Sequence, residues 1–100
     1  GAKLSHANLR GANLSGTNLS KANLSESDMS YSKLIKTNLN RVNLRNVDLR
    51  KADLTEADLH GADLTGANLS TSDLTGAKIK GAILCKTIMP WGEENPDCQK

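Results

Sequence analysis

From Leu4 to Leu84 an apolar residue stands at every fifth position, and this spacing excludes most of the ways a chain can fold. The centres are Leu4, Leu9, Leu14, Leu19, Leu24, Met29, Leu34, Leu39, Leu44, Leu49, Leu54, Leu59, Leu64, Leu69, Leu74, Ile79 and Leu84, seventeen in unbroken succession. A period of five is neither the 3.6 of a helix nor the 2 of a strand, and a helix would carry these side chains all round its surface. Two residues before each centre the side chain is small. It is Ala in ten repeats, Ser or Thr in five (Thr17, Ser27, Ser32, Thr37 and Ser72), and larger only at Val42 and Val47. Between the small residue and the centre stands Asn or Asp in thirteen repeats, with Lys3, Lys33, Lys78 and Ile83 as the exceptions. Small, polar, Leu is one β alternation of in, out, in. Two further residues then turn the chain. A short side plus a corner, repeated, winds into a coil, and successive coils stack at the ~4.8 Å spacing of hydrogen-bonded strands. Seven of the eight Gly fall on the second corner residue, where a positive φ is expected.

The remaining composition bounds the class. There is no Phe, one Tyr (Tyr31) and one Trp (Trp91), too little aromatic volume for an ordinary globular core. Thirteen Lys and Arg against eleven Asp and Glu leave a net charge of +2, so bulk charge does not call for a nucleic acid partner. No apolar run approaches the ~20 residues of a membrane-spanning helix, and membrane insertion is not expected. No targeting segment is visible; the chain opens on Gly1 without Met, as a processed or trimmed chain would.

Residues 52–56 (ADLTE), 62–66 (ADLTG) and 67–71 (ANLST) repeat the form A-(D/N)-L-x-x. In this the sequence resembles the pentapeptide-repeat family, and the resemblance runs over residues 1–85. It implies an all-β fold, a right-handed quadrilateral β-helix with four sides and twenty residues per coil. The number of sides rests on the resemblance: attractive and repulsive charge pairs balance at separations of both fifteen and twenty. Residues 1–85 then form about four coils, and residues 86–100 an irregular C-terminal cap. The family includes members from cyanobacteria and from the plant thylakoid lumen. It also includes proteins that imitate DNA and bind DNA gyrase. Those resemble acidic rods with Phe among the centres, a pattern this chain lacks.

The tail reads KTIMPWGEENPDCQK. Pro90 and Pro96 stop regular ladder pairing. The ends of a solenoid need covering, and Ile88, Met89, Pro90 and Trp91 are read as a lid over the last coil. No lid residues precede Leu4, so the rim formed by Leu4, Leu9, Leu14 and Leu19 is expected to be the adhesive end. It would be covered by an N-terminal segment missing here or by a second copy in a weak head-to-head homodimer. Cys85 and Cys98 match no zinc spacing and are expected to form a structural disulfide. If that bond forms in the cell the compartment is oxidising, a periplasm or thylakoid lumen; otherwise a soluble cytoplasmic protein is expected.

No constellation for catalysis stands out. His6 and His60 lie on different sides, Ser residues lack a positioned base, and the six Asp of the polar position face outward from convex walls. The expectation is therefore no enzyme, no metal and no cofactor. The charge is banded, however. Residues 33–51 carry six cations against Asp48, and residues 52–74 carry five carboxylates and no cation. Twenty residues per coil stacks Lys33 on Asp53, Lys36 on Glu56 and Asp58 on Lys78. Surface pairing and solubility account for much of such banding. The functional reading is a protein-docking patch made of Tyr31, Ile35, Lys36, Arg41, Arg45, Arg50 and Lys51, since Tyr beside Arg is typical of binding hot spots. The function that follows is a non-catalytic structural or protein-interaction scaffold with a protein partner. DNA mimicry toward an enzyme such as gyrase is the alternative.

Overall fold

A computed structural model describes residues 2–98. Parallel bridges join residues twenty apart, from Lys3–Asn23 through to Asn68–Ile88. Five residues to a side and twenty to a coil make four sides, and the fold is a right-handed quadrilateral β-helix. The alternation lasts one residue per side, so each side contributes a single bridge and not a long strand. Around each bridge two backbone bonds run. The Leu4 amide donates upward to the Asn23 carbonyl (2.7 Å), and the Asn23 amide donates back to the Ala2 carbonyl (2.8 Å).

The corners explain the remaining sequence pattern. After each centre the chain closes a turn in which the amide three residues on donates to the centre's carbonyl, as Ala57 does to Leu54 (3.0 Å). The second corner residue has φ > 0, as a type II turn demands. Gly was expected there, yet ten other residues, from His6 to Lys86, adopt the same φ of 54–63°. The coil hydrogen bonds hold them in that conformation against their own preference. Thr71 does not take it. Its branched Cβ resists the left-handed region. The ladder changes at that point: the Lys51 amide donates to the Thr71 hydroxyl (3.0 Å).

The thirteen Asn and Asp have a role beyond solvation. Each accepts, through Oδ1, the amide two residues later, as Asn8 does from Arg10 and Asp73 from Thr75. This Asx turn satisfies a corner N–H that no neighbouring coil reaches, which is why the position wants Asn or Asp and not any polar residue.

Inside, the centres from Leu24 to Leu69 are no more than 1 % exposed. Leu4, Leu9, Leu14 and Leu19 at one end, and Leu74, Ile79 and Leu84 near the other, are only partly buried against that core. Interior hydroxyls bond to main-chain carbonyls: Ser27 to Leu24, Thr37 to Leu14, Ser72 to Leu49 and Thr87 to Leu64. The buried Ser32 hydroxyl has no partner among the described residues.

The five-residue beat runs past Leu84, further than the sequence boundary at Cys85 suggests. Thr87 takes the small position, Ile88 the outward one and Met89 the centre; Leu69 N–H donates to the Ile88 carbonyl (2.6 Å). Strand β1 (Thr87–Met89) then pairs antiparallel with β2 (Gly92–Glu94), and Pro90 and Trp91 make the turn. Of the apolar residues assigned to a lid, Met89 is buried (1 %), whereas Ile88 is 38 % and Trp91 61 % exposed. Ile88 occupies an outward position, and Trp91 is a turn residue whose Nε1–H donates to Glu94 (2.8 Å). Residues 95–98 close the adjoining side. Leu84 N–H donates to the Asp97 carboxylate (2.9 Å) and Lys86 N–H to Asn95 Oδ1 (2.7 Å), standing in for a further coil. Cys85 and Cys98 are bonded, with Cα atoms 4.7 Å apart, and fasten this segment.

Candidate functional site

Four corners per coil, each with two outward residues, are where a solenoid of fixed interior varies its surface. The seven residues of the expected docking patch divide among four successive corners. Arg50, Lys51 and Tyr31 share one, Ile35 and Lys36 the next, Arg41 the third and Arg45 the fourth. The band therefore encircles the rod and is not a single patch. Several members are also occupied: Arg45 pairs with Asp63 (3.2 Å) and Lys36 lies 4.0 Å from Glu56. Ile35 is half-buried, and its N–H donates to the Ser15 hydroxyl oxygen (3.1 Å). The isolated histidines face single carboxylates on separate corners, His6 at 3.1 Å from Glu26 and His60 at 3.9 Å from Asp58.

One corner differs. Residues 10, 30, 50 and 70 stack there in one column and 11, 31, 51 and 71 in the next. Arg10, Ser30, Tyr31, Arg50, Lys51 and Thr71 line a cavity of about 280 Å³. None of the six is acidic. The Arg10 guanidinium lies over the Tyr31 ring, 4.4 Å from its centroid, and one of its N–H groups donates to the Ser30 hydroxyl (3.0 Å). Ser30 in turn donates to Asp28 (2.6 Å). Arg50 reaches back to Asp48 with Nε and Nη2 (3.0 and 2.8 Å). These bonds hold both carboxylates below the usual Asp range. For Asp28 the Ser30 hydroxyl and amide are the main cause; for Asp48 it is the Arg50 side chain, which outweighs partial burial. The Arg50 guanidinium is correspondingly raised by Asp48. Tyr31 is 51 % exposed at φ 61°, an unusual backbone for a bulky residue.

The sequence pointed to Tyr31, Arg50 and Lys51 and missed Arg10, Ser30 and Thr71. The signal was present: Arg10 lies forty residues before Arg50, two coils down the same column, but outside the charge band. Trp91, read as a lid residue, follows Met89 as Thr71 follows Leu69. The hairpin turn thus lies at the end of this same corner, and both aromatic residues of the chain belong to it.

The profile of the pentapeptide repeats family matches residues 2–41, 22–61 and 52–89, with eight copies. The chain belongs to the pentapeptide repeat family. Among solved structures it is similar to HetL, a pentapeptide repeat protein involved in heterocyst differentiation regulation in the cyanobacterium Nostoc sp. strain PCC 7120. The identity is 38 % over 90 % of this chain and 41 % of that one, with a TM-score of 0.87. A second pentapeptide repeat protein of Nostoc PCC 7120 is 42 % identical over 85 % of this chain and 66 % of its own, with a TM-score of 0.59. The chain therefore spans less than half of HetL. No curated protein matches it. Among the described residues no helix is long and apolar enough to cross a membrane.

Proposed function

We propose that this chain is a non-catalytic protein-interaction scaffold and that a protein partner docks on the Tyr31 corner. The observation that carries this reading is the cavity of Arg10, Ser30, Tyr31, Arg50, Lys51 and Thr71, with an exposed aromatic at its centre and cations around it. Tyr and Arg are enriched among residues that dominate binding energy. On other corners Lys36 pairs with Glu56 and Arg45 with Asp63 from coil to coil. Similarity to HetL, a pentapeptide repeat protein involved in heterocyst differentiation regulation, accords with an interaction role. DNA mimicry finds less support: net charge is +2 and cations stand on all four corners.

The test is to fix a partner by photo-crosslinking from position 31, purify it and measure its affinity. Tyr31→Ala should weaken it by about 2 kcal/mol or more, as at a hot spot, while Arg41→Gln on another corner should leave it unchanged. A partner indifferent to Tyr31 would overturn the reading. The half-buried leucine rim of the first coil supports a second, weaker contact, self-association of the chain through Leu4, Leu9, Leu14 and Leu19. Sedimentation over a concentration range checks it, and a strict monomer throughout refutes it.

A further inference from the structure

Residues 95–98 take the place of a further coil beside the Leu84 side of the solenoid. One coil earlier, the amides of Leu64 and Gly66 donate to the main-chain carbonyls of Ile83 and Cys85 (3.0 and 2.9 Å). The equivalent amides of Leu84 and Lys86 donate to side chains instead, the Asp97 carboxylate (2.9 Å) and Asn95 Oδ1 (2.7 Å). One main-chain bond runs the other way, from Asp97 N–H to the Leu84 carbonyl (3.1 Å). Among the described residues these are the segment's hydrogen bonds to the last coil. Asn95, Pro96 and Asp97 are exposed and Cys98 is half-buried, so no apolar side chain roots the segment in the core. The hairpin before it differs. Thr87 and Met89 are buried there, and the Thr87 hydroxyl donates to the Leu64 carbonyl (2.8 Å).

Ordering a residue's backbone costs more than an exposed hydrogen bond returns net. Residues 95–98 are therefore not held in place by those bonds alone. The Cys85–Cys98 bond makes up the difference, because it confines the segment to the neighbourhood of Leu84 and Lys86. Both cysteines are half-buried, so a thiol can reach the sulfurs without unfolding the solenoid, and exposed disulfides are the labile ones. We propose that residues 95–98 are a redox-operated strap. Oxidised, it covers the Leu84 side of the last coil; a cellular thiol reductant releases it while the solenoid behind stays folded. In the releasing reaction one thiolate attacks a cysteine sulfur, the S–S bond breaks, and the displaced cysteine thiolate takes up a proton. A second thiol displaces the other cysteine from the mixed disulfide. The protein gains two electrons and two protons, and the two thiols leave as a disulfide. Release frees the Leu84 and Lys86 amides along one side of the last coil, and reoxidation covers them again.

The experiment uses the full chain, oxidised and labelled with nitrogen-15, with excess reduced glutathione as the reductant. Structural disulfides resist that reagent. This bond should open, read by mass spectrometry as alkylation of both cysteines. Asp97 and Cys98 should then lose their heteronuclear Overhauser enhancement, and amide exchange at Leu84 and Lys86 should quicken about tenfold or more. Leu54 and Leu69 should keep their shifts and protection, and oxidised glutathione should restore the first spectrum. Cys98→Ser should reproduce the reduced spectrum with no reductant present. Asp97→Ala, kept oxidised, should loosen the Leu84 amide and leave Cys98 ordered. A folded chain that keeps its disulfide in glutathione would overturn the proposal. So would a strap that stays ordered once both thiols are free, or loss of the whole solenoid spectrum on reduction. Disorder of residues 95–98 in oxidised Asp97→Ala would overturn it too, since the hydrogen bonds and not the sulfurs would then be the hold.

Discussion

Leu54→Ala tests the solenoid's interior most directly. Leu54 is 0 % exposed and belongs to the column Leu14, Leu34, Leu54, Leu74. Its own amide is bonded to the Asp73 carbonyl (2.8 Å), and Asp53 accepts from Leu34 (2.7 Å), so the coils above and below are pinned and cannot close over the void. Truncation removes three carbons and leaves a cavity, which in such an unrelaxed core costs about 3–4 kcal/mol. Leu14→Ala removes the same atoms from a side chain already partly exposed on the first coil. About half the area term remains there and no closed cavity forms, giving about 1–1.5 kcal/mol. Against a total of roughly 5–15 kcal/mol for a domain of this size, the two should separate clearly. The assay is urea unfolding followed by circular dichroism, with equal m-values as the check that both variants unfold the same unit. Equal losses at the two positions, or a loss below about 1 kcal/mol at Leu54, would refute a core organised as stacked leucine columns.

Ser32→Ala replaces an unpartnered buried hydroxyl with the residue common at that position; stability should rise by about 1 kcal/mol, read as a shift in urea midpoint. Lys36→Gly relieves a side chain held at φ 56° and should stabilise by about 0.5–1 kcal/mol after the extra entropy of the unfolded chain is subtracted. Asp28, Asp48, Asp63 and Asp73 all have lowered pKa values in the folded chain. For Asp63 burial acts the other way but is outweighed by Thr65 and Arg45. The unfolded chain then binds more protons, so their contribution is complete above the ordinary Asp value and is lost as pH falls through the folded values. Stability should be level from about pH 5 upward and decline below about pH 4. Reduction of Cys85–Cys98 should speed hydrogen exchange at Leu84 and Lys86, whose amides are held by Asp97 and Asn95, while Leu54 stays protected.

Much of this fold is written in the five-residue beat, because every repeat must solve one problem: bury a Leu, turn, and meet the coil beneath. The interior side chains and the corners were legible for that reason. The choice of Asn or Asp was visible, but its cause was not, since the Asx turn is a contact between backbone and side chain that polarity alone does not imply. The number of sides was not legible either. It depends on the angle of the corner, and exposed charge pairs are too weak to enforce a register. At the C-terminus, Thr-Ile-Met has the same small, outward, centre order as earlier repeats. Ile88, like Ile83 a repeat earlier an apolar residue in a mostly polar position, and Pro90 after the centre disguised it. The candidate site was half visible. Its composition drew attention to Tyr31, Arg50 and Lys51, but a charge count along the chain cannot show that residues forty apart stand on one corner.

Tyr31→Gly distinguishes a residue kept for the fold from one kept for its surface. Every second corner residue from His6 to Lys86, Thr71 apart, is left-handed, so Gly suits any of them by geometry alone. Holding a bulky residue there costs about 1–2 kcal/mol, which Gly removes. Against this, Gly adds about 0.5–1 kcal/mol of unfolded-state entropy, and loss of the stacking under Arg10 removes another 0.5–1 kcal/mol at an exposed site. The terms nearly cancel, and the urea midpoint should move by less than the equivalent of about 1 kcal/mol. Partner affinity, by contrast, should fall by about 2 kcal/mol or more if the aromatic ring is the anchor. Tyr31 would then be retained for what it touches outside the chain. A variant that unfolds readily yet binds its partner undiminished would place Tyr31 among the structural residues and remove the reason for assigning this corner a function.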